Sequence, residues 1–316
     1  MAFLTTLQTV GILLAMAIPG FIVTKLKLID SESGVKVLSV VLLYICQPFI
    51  TANAFLNTRF ETDILVNLIL IIALTTILMI ALLYIAKFSL FKDKDSPKRD
   101  VYSFASSLGN VGYMCIPFLQ LLTDNNHEVI LYATASLVGF NLVAWTLGCF
   151  FITKDKRHIS LKNIFLNLPT ISFIVILPFF ILNWNFITFP KLKPLADAAG
   201  LFSSTMAPLS MTILGMQFSK INIKELVRDY RVYIVSFIKL ILSPTIAFLI
   251  LWATSLFVDI QAIKLNFIAL AAMPSATNVM MFSSIYNSDN ASAAKAVLMT
   301  SILSVVTIPL AVWAFV

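Results

Sequence analysis

Long stretches without a single Asp, Glu, Lys or Arg alternate along the chain with short segments where those residues crowd together. Ten charge-free stretches of 19–28 residues occupy nearly all of it: Met1–Thr24, Val37–Thr58, Ile64–Ala86, Val101–Thr123, Val129–Thr153, Asn163–Pro190, Ala198–Ser219, Leu240–Val258, Leu265–Ser288 and Ala296–Val316. At about 1.5 Å of rise per residue, each can cross a hydrocarbon core as an α-helix. Barrel strands would alternate over about ten residues, whereas Leu68 through Leu74 is apolar at every position. The pattern predicts ten transmembrane helices, spans one to ten, over about residues 3–24, 36–57, 64–86, 101–122, 129–152, 164–186, 196–218, 232–257, 265–286 and 293–315.

Composition narrows the setting. The 316 residues are 59% hydrophobic and 12% charged, against roughly 45–50% and about 25% in soluble domains. Such a chain suits a bilayer or an oligomer core with little wet surface, and ten charge-free windows leave too little polar surface for the second. The fold class expected is an all-α polytopic membrane protein. The net charge of +7 comes from scarce acids rather than a basic tract, so it does not indicate a nucleic-acid partner.

Sorted by loop, seventeen of the 22 Lys and Arg follow odd-numbered spans, four follow even-numbered ones, and Lys239 lies inside span eight. Basic loops stay in the cytoplasm, which puts both termini outside and suits the plasma (inner) membrane. The first basic residue is Lys25, so Met1–Thr24 reads as the first span rather than a signal peptide. Cys46, Cys115 and Cys149 fall singly inside spans, and His127 and His158 fall in loops; none has metal-ligand spacing.

Ten spans divide into five and five. Pro19 recurs as Pro178 and Pro48 as Pro208, at offsets of 159 and 160 residues. Five is odd, so the second half enters the membrane inverted, and the loop charges invert with it. Residues 1–158 and 159–316 are therefore expected to form an inverted repeat.

Spans four and nine carry the chemistry. Span four contains Gly109-Asn110-Val111-Gly112 and Pro117; span nine contains Pro274-Ser275-Ala276-Thr277-Asn278. Proline removes an amide donor and clashes with the preceding turn, and broken backbone survives in lipid only where protein encloses it or it lines a cavity. Paired discontinuous helices point to a midplane transport site whose half-helix N-termini favour an anion. The blander reading is a proline kink with Asn joining helices. The candidate substrate-binding residues are Asn110, Pro117, Pro274, Ser275, Thr277 and Asn278, with Gln47, Asn53, Gln217 and Asn141 as polar residues of spans two, seven and five. Lys239, eight residues beyond Arg231 and about 12 Å inward at helical rise, is a further candidate, to attract an anion or to snorkel outward. No span holds a central carboxylate, and no hydrolase, metalloprotease or P-loop pattern occurs.

The Gly109-Asn110-Val111-Gly112 to Ile116-Pro117 segment resembles the signature of the auxin efflux carrier family, which includes bacterial malate and malonate permeases and the plant PIN-formed auxin exporters; Pro274 to Asn278 resembles that family's second motif. The resemblance runs along the whole chain. It implies a five-plus-five inverted-repeat carrier with a scaffold part and a transport part, in which spans four and nine cross at their breaks and bind an anion there. Carried over, the crossing lies near Pro117 and Asn278-Val279, with Pro117 and Pro274 holding the breaks. Val279 stands where the plant motif has a second proline, and the loop after span five is short, so the chain is more similar to the bacterial organic-anion permeases.

The expected function is alternating-access transport of a small organic carboxylate, with no cofactor and no metal. The expected partners are that anion, membrane lipids and, optionally, a second copy in a homodimer. Two alternatives remain: a sodium-coupled symporter of the bile-acid-carrier type, and a non-transporting membrane receptor. A membrane enzyme lacks the residues to act.

Overall fold

A computed structural model of the protein describes residues 3–90, 97–155, 157, 159, 161–219 and 223–316. Lys92, Lys94, Lys156 and Lys220, which entered the loop-charge count, and the loop residue His158 lie outside the described residues. Among those described, the chain is helical, with a single isolated bridge and no named strand. It is an all-α polytopic membrane protein.

Every charge-free window contains helix, and among the described residues seven helical runs are long and apolar enough to cross a membrane: Phe3–Lys25, Ser31–Leu56, Thr62–Ser89, His127–Thr153, Pro190–Phe218, Tyr230–Ser255 and Asn290–Phe315. Spans four and nine are each divided in two. Span four runs as Pro97–Ser107 and Val111–Leu122, and span nine as Gln261–Ala272 and Asn278–Ile285. Span six is shorter than its charge-free stretch suggests, with its main helix confined to Leu168–Ile181. It ends where Asn183 turns left-handed at φ 58° and the amides of Leu182 and Trp184 return to Pro178 and Phe179, a conformation that Asn tolerates.

Polar residues at the window edges start the helices. Asp30, Asn126, Asn167, Asp229 and Asp289 each accept a hydrogen bond from an amide in the first turn that follows, satisfying donors a helix cannot satisfy internally. Inside the spans, widened π turns at Leu42–Cys46, Val111–Cys115 and Ile238–Leu242 each end two residues before a proline, Pro48, Pro117 and Pro244. The wider turn gives the pyrrolidine ring room and redistributes the carbonyls it orphans.

Packing follows membrane rules. Lipid tails are as apolar as leucine, so helices gain by close approach through small residues. Spans one and seven meet this way: a Cβ on Gly20 would stand 2.0 Å from Thr212 O, and one on Gly215 would stand 1.9 Å from Ala17 O. Span two packs on its neighbours through rings, with Phe55 edge-on to Phe173 and Phe180 and Phe49 stacked on Phe202. Large apolar side chains such as Ile18, Val175, Trp252 and Trp313 remain exposed on the outer surface, as a lipid-facing belt requires. The first half of span four has no such face, since every side chain from Arg99 to Ser107 is buried.

Candidate functional site

The non-helical pieces of spans four and nine, residues 108–110 and 273–277, meet each other. Gly109 and Ser275 form an antiparallel bridge. Asn110 N donates to Pro274 O at 2.8 Å, and Ala276 N donates to Leu108 O at 2.9 Å. Ser275 N is taken by Thr300 Oγ1 of span ten at 3.0 Å. Each broken helix thus supplies the hydrogen-bond partners the other lacks, the condition for irregular backbone at membrane depth. Pro274 has no amide to orphan, and its carbonyl becomes the acceptor for Asn110. The break in span four falls at Leu108–Asn110 and not at Pro117, which lies inside the following helix behind its wide first turn. Gly109 lies close against span nine: a Cβ there would stand 3.1 Å from Leu270 O.

A small pocket of about 40 Å³ opens beside this bridge. Its lining combines Leu43 and Gln47 of span two, Gly109 to Tyr113 of span four, Leu137, Phe140 and Asn141 of span five, Pro169 of span six, and Ala276 and Asn278 of span nine. Two helix N-termini border it, that of Val111–Leu122 and that of Asn278–Ile285, and these ends carry partial positive charge. Two buried amide donors, Asn110 Nδ2 and Gln47 Nε2, have no partner among the described residues. These side chains are only 2% and 1% exposed, and an unmet donor at such depth costs about 1–3 kcal/mol.

Of the sequence candidates, the structure brings Asn110, Gln47, Asn141 and Asn278 to the pocket. Asn141 is held there by its amide, which donates to Asn167 Oδ1 at 2.8 Å and Thr170 Oγ1 at 3.2 Å. Pro274, Ser275 and Thr277 shape the crossing without lining the pocket. Asn53 lies away from it, accepting from Asn57 Nδ2 at 3.0 Å near the end of span two. Gln217 sits near the end of span seven, and neither it nor Pro117 reaches the lining. Lys239 is buried but also outside the lining, with Nζ 3.5 Å from Ala271 O.

Residue-by-residue reading passed over Tyr113, Phe140, Leu137 and Pro169, which form apolar walls. Tyr113 lies within the span-four motif, and that is the signal that could have marked it. The others have none, because an apolar side chain facing a pocket looks the same in sequence as one facing lipid. Asn167 and Thr170, the partners of Asn141, stand at the start of the span-six helix, where Asn167 Oδ1 accepts from Thr170 N at 3.1 Å.

A family model described as "Membrane transport protein" matches residues 5–168 and again 158–312. The chain is also 26% identical over 314 residues to an uncharacterized transporter of Methanocaldococcus jannaschii, with 97% of this chain and 98% of that protein covered.

Proposed function

The chain belongs to the membrane transport protein family, the family of the auxin efflux carriers, and from that premise we propose that it is a secondary carrier for a small organic carboxylate. The observation that carries this reading is the pair of unpartnered buried donors, Asn110 Nδ2 and Gln47 Nε2, on the wall of a pocket bordered by two helix N-termini. A carboxylate has two acceptor oxygens and a charge that both features favour. Asn278, at the start of the second half-helix of span nine, and Asn141 complete the polar wall. Tyr113, Leu137 and Phe140 exclude water from the organic part of the ligand.

The pocket lies between two groups of helices, and this supports alternating access. Spans one, two, six and seven pack together through glycines and rings and supply Leu43, Gln47 and Pro169. Spans four, five and nine supply the rest. In the proposal the first group is the scaffold. The second carries the crossing and moves against it, exposing the anion to each side in turn. The two halves of the chain, residues 1–158 and 159–316, form an inverted repeat, and the basic loops put both termini outside the plasma membrane.

Purified protein in liposomes is expected to move labelled malate, malonate or indole-acetate, and Asn110→Ala is expected to lose most of that flux. Folded protein that moves none of a panel of mono- and dicarboxylates would sink the reading.

A further inference from the structure

The crossing has two electrical sides. The N-termini of the half-helices border the pocket. The C-termini of Pro97–Ser107 and Gln261–Ala272 lead into the crossing, and such ends carry carbonyls without a partner inside their own helix and a partial negative charge. In carriers built on broken helices, half-helix C-termini and unwound carbonyls are where a coupling Na⁺ is coordinated.

Lys239 occupies that side. Its Nζ lies 3.5 Å from Ala271 O, in the last turn of Gln261–Ala272, and Ser243 Oγ donates to the same carbonyl at 2.8 Å. A Cβ on Gly109 would stand 3.1 Å from Nζ, so the amine also abuts the turn that follows Ser107. Lys239 is 1% exposed, and among the described residues no carboxylate pairs with it. It reaches the crossing from the widened turn Ile238–Leu242 ahead of Pro244. Snorkelling to an interface does not describe a side chain enclosed in this way.

We propose that the ammonium of Lys239 is a tethered cation. It fills the carbonyl-end site, positions the two half-helices with their N-termini toward the anion, and lets the carrier run without a bound alkali cation. Lys239 is a positioning residue and does not touch the substrate. This inference rests on the carboxylate-carrier reading for its flux readout, and it decides against sodium coupling.

The test measures flux of labelled malate, malonate and indole-acetate in liposomes containing NaCl, KCl or choline chloride. Wild-type flux is expected to be equal in all three salts. Lys239→Gln, which removes the charge and leaves an oxygen in its place, is expected to fall about tenfold or more in choline and to recover in Na⁺. Lys239→Arg is expected to stay independent of added cation, whatever its absolute rate. Thermal unfolding of detergent-solubilised protein gives a second readout that needs no flux: Na⁺ over choline should leave the wild type unmoved and stabilise Lys239→Gln by roughly 2–4 °C or more. Wild-type flux or wild-type stability that depends on Na⁺ overturns the proposal, as does Lys239→Gln behaving like wild type in choline. If Lys239→Gln does not fold, the wild-type salt comparison decides alone. If no anion moves with any protein, the carrier reading fails, and the unfolding measurements still decide the role of Lys239.

Discussion

Spans one and seven meet at Gly20 and Gly215, and spans four and nine meet at Gly109, yet the two contacts have opposite consequences. At the first, helical backbone lies against helical backbone, with Cβ positions that would fall 2.0 and 1.9 Å from a neighbouring carbonyl. At the second, the chain has left the helix. The approach is looser, 3.1 Å from the Cβ position to Leu270 O, and hydrogen bonds cross between the segments. Helices that satisfy their own amides can be pressed together into a wall with nothing left to offer a ligand. Interrupted helices must share partners, and the sharing leaves donors and helix ends free to bind.

Four perturbations break or sharpen this contrast. Gly215→Val has the largest expected effect. The added side chain collides with Ala17 O, and overpacking of this kind costs about 3 kcal/mol or more where backbone cannot yield. Loss of the monodisperse folded peak in detergent chromatography is the expected outcome, and a variant as stable as wild type would show that spans one and seven are free to separate.

Asn110→Leu should do the reverse, weakening anion affinity by about 1.5–3 kcal/mol, or roughly 10–100-fold. The melting temperature should hold or rise, since an unmet donor is removed. Parallel loss of stability and affinity would make Asn110 a structural residue. A smaller effect is expected from Asn141→Leu, which severs the bonds to Asn167 and Thr170. It should cost about 1 kcal/mol in thermal unfolding and should weaken the contact between the moving and the fixed helices.

The smallest effect concerns pH, at the membrane edge far from both contacts. Burial raises the Asp229 carboxyl, but the Tyr102 hydroxyl, the Arg231 amide and its guanidinium outweigh burial and hold it below its ordinary value. A depressed carboxyl adds stability that is present above its unfolded pKa and is lost as pH falls through the lower folded value. The melting temperature should therefore sag slightly only below the ordinary Asp range, and Asp229→Asn should flatten that part of the curve.

Much of the fold is legible in residue order, and the reasons are specific. A buried charge is so costly in lipid that charge-free windows mark the helices, and Asp30, Asn126 and Asp289 mark their starts by capping them. Gly109-Asn110 and Pro274 to Thr277 marked the breaks because these residues weaken a helix. Other features were not legible. Pro117 looked like a breaker and sits inside a helix, because a widened turn absorbed the strain. Gln47 and Asn53 lie on one span and looked equivalent, yet only Gln47 lines the pocket. Span six looked long enough to run to residue 186 and stops at Ile181, because the turn at Asn183 carries no charge to reveal it.

By itself the sequence determined that the chain is a bundle of membrane helices, that two of them are interrupted, and which residues interrupt them, since each of these follows from the local cost of charge, proline and glycine in an apolar medium. Only the tertiary structure decided which faces meet. A helix apolar all round carries no periodic signal separating lipid from protein, so the pairing of residues 108–110 with 273–277, the meeting of Asn110 and Gln47 at one pocket, and the enclosure of Lys239 at the carbonyl ends depend on contacts between residues far apart in the chain.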